Sequence, residues 1–65
     1  MYWVEKFHNL CSGKTIRSIR ELDMHSANTR IEIVFTDDSK IELEWDYMYE
    51  IAFYNESKDK EIIMS

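Results

Sequence analysis

His8 and Cys11 stand three residues apart. On a helix that spacing places both side chains on one face, where they can reach a single metal ion. Zinc needs three or four ligands, so His25 or Asp23 would have to complete the site from another segment, and the chain holds no second closely spaced pair. Cys11 with His8 or His25 also has the residue types of a nucleophile and its base. That chemistry needs a third orienting group, an oxyanion site and a concave pocket, and a chain with one Gly has little loop from which to build one. Gly13-Lys14-Thr15 matches the end of a phosphate-binding loop without its upstream glycine. The expectation is a protein that is not an enzyme and holds no metal or cofactor.

The carboxylates are more informative. Net charge is −5 over 65 residues, and it is unevenly placed. Residues 1–30 carry five Lys/Arg against three Asp/Glu, whereas residues 31–65 carry three against ten. Between 32 and 50 the acids Glu32, Asp37, Asp38, Glu42, Glu44, Asp46 and Glu50 face the single base Lys40. Such a surface repels nucleic acid and anionic lipid and attracts basic proteins.

These acids need an element to position them, and residues 29–46 supply it. Apolar and polar residues alternate on both sides of Asp37-Asp38-Ser39, which is the pattern of two half-buried strands joined by a turn. A loop over 37–39 pairs Thr36 with Lys40, Phe35 with Ile41, Ile33 with Leu43 and Ile31 with Trp45. A two-residue turn at 38–39 would set Phe35 against Glu42 and break the apolar face. The chosen register makes an outward face with Arg30 opposite Asp46, Glu32 opposite Glu44, and Val34 opposite Glu42. Directly opposed like charges cost stability, so Glu32 and Glu44 require a cation from a neighbour or a partner. Glu42, Glu44 and Asp46 recur about every 6.6–6.8 Å along a strand, the order of the spacing of phosphates along a nucleic-acid strand.

The other elements follow from weaker patterns. Trp3, Phe7 and Leu10 predict a helix over 2–11, closed by Gly13. Residues 14–24 read as a helix on the spacing of Ile16, Ile19 and Leu22, or as a strand if a bulge near Arg17-Ser18 brings Ile16 and Ile19 to one face. The strand is preferred, because an antiparallel neighbour brings Arg20 to Glu32. Tyr47 to Asn55 is apolar at nearly every position, so period cannot choose between helix and strand. Its β-branched and aromatic residues favour a strand from Tyr49, with a polar turn over 55–60 and a last strand over 61–64. One α+β domain spanning 1–65 results: a short N-terminal helix packed on an antiparallel β-meander of four or five strands, with closure into a small barrel as the alternative.

So small a chain buries only about 60% of the surface its unfolded form exposes. Its 14% aromatic content compensates. A lone Cys11, no signal-peptide pattern at residues 1–6 and no long apolar run point to the cytoplasm and away from membranes. Tyr47 to Tyr54 looks too apolar for a monomer to bury on both faces, which predicts self-association or a heterologous contact through Tyr47 and Tyr49.

The run Gly13-Lys14-Thr15-Ile16, followed by Phe35-Thr36-Asp37-Asp38-Ser39-Lys40-Ile41-Glu42-Leu43-Glu44, resembles small proteins of low-GC bacteria and their phages over residues 13–46. Size and acidity are similar to those of phage-encoded inhibitors of bacterial defence, anti-CRISPR proteins among them. The resemblance implies an inhibitor acting in the host cytoplasm on a basic, nucleic-acid-handling protein such as a defence nuclease. The residues expected to meet that partner are Glu32, Asp37, Asp38, Glu42, Glu44, Asp46, Tyr47 and Tyr49. The alternative is a small homo-oligomeric β-module, a homodimer for instance, that sequesters a small molecule such as a signalling nucleotide.

Overall fold

A computed structural model describes residues 2–22, 29–45 and 49–65. Helix α1 (Tyr2–Cys11) is followed by strands β1 (Ile16–Glu21), β2 (Thr29–Phe35), β3 (Lys40–Trp45), β4 (Glu50–Tyr54) and β5 (Lys60–Met64). The strands pair in chain order, each antiparallel to the next, in one open sheet with β1 and β5 at its edges. The α+β meander stands as expected; the barrel does not form. No helix among the described residues is long and apolar enough to cross a membrane.

Trp3, Phe7, Leu10 and Cys11 share one face of α1 and pack on a buried cluster of Phe35, Ile41, Ile51, Phe53 and Ile63. The helix stops where Gly13 takes φ +80°, a left-handed conformation that costs other residues far more. There the Ser12 N–H donates to the carbonyl of His8 at 2.8 Å, and the Lys14 N–H to that of Cys11 at 3.2 Å. Lys14 then extends over the core's end, with Nζ 5.9 Å from the Phe35 ring centroid and 5.6 Å from that of Phe53, close enough for cation–π attraction.

Two hairpin loops have one construction. In the first, the Asp38 N–H donates to Phe35 O at 3.1 Å, the Phe35 N–H donates to Ser39 O at 2.9 Å, and Asp38 has φ 71°. In the second, Lys58 donates to Asn55 O at 2.9 Å, Asn55 to Asp59 O at 3.1 Å, and Lys58 has φ 71°. Each is a three-residue loop, 36–38 and 56–58, ending on a left-handed residue before pairing resumes. Asp37 Oδ1 accepts the Ser39 N–H at 2.9 Å, and Asn55 Oδ1 accepts the N–H of Ser57 and of Asp59 at 2.9 and 3.0 Å. These side-chain bonds set the loops locally.

The first loop corrects the expected register. It spans 36–38 rather than 37–39, so Thr36 does not pair with Lys40; its N–H donates to Thr15 O at 2.9 Å instead. The pairs are Ile33 with Ile41, Ile31 with Leu43, and Thr29 with Trp45. Each partner has moved by two residues. A two-residue slip keeps every side chain on its face, which is why hydrophobic alternation alone does not distinguish the two registers.

Candidate binding surface

The outward face of the sheet carries the carboxylates that the sequence singles out, with new opposite numbers. Glu32 stands opposite Glu42 rather than Glu44, Arg30 opposite Glu44 rather than residue 46, and Val34 opposite Lys40 rather than Glu42. A like-charge pair persists, now Glu32 with Glu42, and three cations answer it. Arg20 Nε lies 2.7 Å from Glu32, as its position opposite Glu32 on β1 predicts. Lys40 Nζ bridges Glu32 at 3.0 Å and Glu42 at 3.1 Å. Arg30 joins Glu42 at 2.9 Å to Glu44 at 3.4 Å. The lattice continues outward on β4 and β5, where Lys60 meets Glu50 at 3.4 Å, and Tyr54 lies between Lys40 and Lys60, at 5.1 and 6.0 Å from its ring centroid. Four cations thus offset four carboxylates across five strands.

Glu32 sits at the centre of this lattice and is only 4% exposed. Burial raises its carboxyl pKa, hydrogen bonds from Arg20 and Lys40 lower it, and the lowering prevails. Lys40 is raised above its ordinary value, first by its bond to Glu32. A buried carboxylate held this way is an internal fixture. It does not have the exposure expected of a residue that meets a partner.

The hairpin tip is also engaged. Asp37 accepts hydrogen bonds from Lys14 and from the Ser39 hydroxyl and N–H, which hold its carboxyl well below the usual range. Arg17 Nη1 donates to Asp38 at 3.0 Å. Tyr49 is exposed at 65%. Asp46 and Tyr47 lie outside the described residues, as do Asp23 and His25.

Within the described residues of the segment expected to be too apolar for a monomer, Ile51, Ala52 and Phe53 are buried and Tyr49 is exposed. Ile51 and Phe53 are buried under α1, and Ala52, on the opposite face, is buried between Glu42 and Ile62. The reason is place: β4 is an interior strand, and a small residue where it faces the charged layer lets both faces close. Among the described residues, large apolar side chains are exposed at Tyr2, Val4, Tyr49 and Ile62 and on β1, where all six residues are exposed and Ile16 and Ile19 show 51% and 60% of their surface. The bulge between Ile16 and Ser18 aligns these two on the helix side of the sheet. That bulge is the sequence signal for them, but the edge position of β1 is not legible locally.

His8 is exposed, whereas Cys11 packs against the core, so the two do not share an environment. Burial pushes the Cys11 thiol up, with Lys14 opposing, and this disfavours the thiolate needed for attack. Among the described residues no three His, Cys, Asp or Glu gather as metal ligands. An open groove of about 550 Å³ lies beside α1 and is lined by Tyr2, Glu5, Lys6, Asn9, Leu10 and Glu61.

Comparison of the chain with protein-family models, with curated proteins and with solved structures returns no match.

Proposed function

We propose that this chain is a non-catalytic binding protein whose target is another protein with a basic surface, and that it inhibits a nucleic-acid-handling protein such as a bacterial defence nuclease. One observation carries the reading: the positive charge is spent internally. Lys6, Lys14, Arg17, Arg20, Arg30, Lys40 and Lys60 are all held in ion pairs, which leaves Lys58 as the one free cation among the described residues. Glu5, Glu21 and Glu56 are exposed and have no cation partner among them. The net charge of −5 therefore projects outward without a positive patch, which favours encounter with a basic protein over nucleic acid or an anionic membrane.

Phosphate mimicry by Glu42 and Glu44 receives less support, since Arg30 and Lys40 already hold them. The alternative of a module that sequesters a nucleotide is also less supported. The groove beside α1 exposes Glu5 and Glu61, and its Lys6 is occupied by Glu61.

The test is capture of bacterial proteins on the immobilised chain at about 50 mM and about 300 mM salt, with identification by mass spectrometry. The captured protein should be basic and released by salt, and its purified form should lose activity when the chain is added. Glu5→Lys with Glu56→Lys, two exposed sites, should cut capture severely. Capture of acidic proteins, or capture indifferent to salt and to the double reversal, overturns the reading.

A further inference from the structure

Resting on the binding function proposed above, we infer that the groove between α1 and β5 receives an arginine side chain of the basic partner protein. The groove holds about 550 Å³, a volume in the range of small-ligand sites.

Three observations carry it. First, helix spacing builds the wall. Tyr2, Lys6 and Leu10 follow one another at four-residue steps on α1, and Glu5 and Asn9 form a second row beside them. Residues so spaced share one flank of a helix, and this flank stands against Glu61 on the edge strand β5. The core is met instead by Trp3, Phe7 and Cys11. Leu10 alone serves both, packing on the core and lining the groove.

Second, the groove keeps a surplus of negative charge. On the outward face of the sheet, Glu32, Glu42, Glu44 and Glu50 are each held by a cation. In the groove two carboxylates share one ammonium. Lys6 Nζ meets Glu61 Oε2 at 3.2 Å and donates to the Ile62 carbonyl at 2.9 Å, which holds it on β5. The Glu61 side chain is still 48% exposed, and its Oε1 is open to a second donor. Glu5 is exposed and has no cation among the described residues. A basic partner answers that charge; an acidic one would add to it.

Third, the groove carries an open aromatic ring. Tyr2 is 84% exposed, more than any other large apolar side chain among the described residues, and it stands on the same wall as Glu5. A ring beside a free carboxylate suits a flat cation. The guanidinium group stacks on an aromatic face while its five N–H donors serve two carboxylates and an amide oxygen such as that of Asn9. A lysine ammonium is a point charge with three donors and no plane to stack. Leu10 gives the arginine stem an apolar contact.

Nuclear magnetic resonance of the full, isotope-labelled chain, titrated with a blocked Arg-Leu-Arg tripeptide at about 50 mM salt, tests the site. Saturable shifts should centre on Tyr2, Glu5, Lys6, Asn9, Leu10 and Glu61, with a Kd on the order of 1 mM. The neutral citrulline counterpart should cause none, and the lysine counterpart should bind at least about threefold more weakly. Tyr2→Ala and Glu5→Gln, at exposed positions where circular dichroism should match the parent, should each weaken the tripeptide about three- to fivefold. Glu21→Gln, on the opposite edge of the sheet, should not. Citrulline or lysine binding equal to arginine overturns the inference, as do shifts centred on Glu21 or Glu56, or indifference to both groove variants. Retention of the captured basic protein separates this site from the function it rests on: Tyr2→Ala with Glu5→Gln should cut retention about tenfold. Retention equal to the parent overturns the groove and leaves the binding function standing. A groove that takes the tripeptide while no basic protein is captured overturns the function and leaves the groove's ligand chemistry standing.

Discussion

β4 and β1 are strands of similar length that both carry isoleucine, and those isoleucines end in opposite situations. β4 has β3 and β5 beside it, α1 over one face and the charged lattice around the other, so Ile51, Ala52 and Phe53 are all buried. Among the described residues β1 has one neighbouring strand, and all six of its residues are exposed. For the isoleucines the difference does not lie in the side chain, since Ile16 and Ile19 are as apolar as Ile51. It lies in strand order. In a meander the first and last strands form the edges. Here the helix attends to the last.

That contrast is breakable by substitution. Phe53→Ala should cost about 3–5 kcal/mol, which is comparable to the whole stability of so small a domain; a urea midpoint little changed would show that β4 is not the core strand. Lys40→Met keeps the apolar stem but leaves Glu32 with Arg20 alone, and Glu42 with Arg30. It should cost about 1–3 kcal/mol; a neutral result would mean that the lattice only decorates the outward face.

Acid should loosen the same layer. Because the Glu32 pKa is lowered from its ordinary 4.5 in the fold, its contribution is complete above that value and drains away as pH falls toward the folded pKa. Stability measured between about pH 6 and pH 3 should therefore fall less steeply in Glu32→Gln than in the parent. Equal slopes would remove Glu32 from the acid response. At the small end, Ile19→Ser on the exposed edge should change stability by no more than about 0.5 kcal/mol, measured by the urea midpoint.

Several features are legible in the amino-acid sequence alone. Trp3, Phe7 and Leu10 set the helix, and Gly13 set its end, because both are local demands on backbone and face. The bulge near Arg17 followed from requiring Ile16 and Ile19 on one side, and the Arg20–Glu32 pair followed from placing β1 beside β2. The candidate surface was harder. Glu32, Glu42 and Glu44 do face outward together, yet their exposure depends on Lys40 and Arg30, whose reach across strands depends on a register that slips by two. The loop decides it: Asp38 takes the left-handed position and Asp37 accepts from Ser39. An Asp-Asp-Ser run offers such bonds in more than one frame.

The sequence by itself determined which residues share a face, because side-chain alternation along a strand has period two and survives any even slip. It also determined the net charge and its crowding into the second half. Only the tertiary structure decided which carboxylate meets which cation, and which isoleucines lie on an interior strand and which on an edge. Those outcomes arise from neighbours distant in the chain, and a charge or an isoleucine has no fixed exposure until those neighbours are in place.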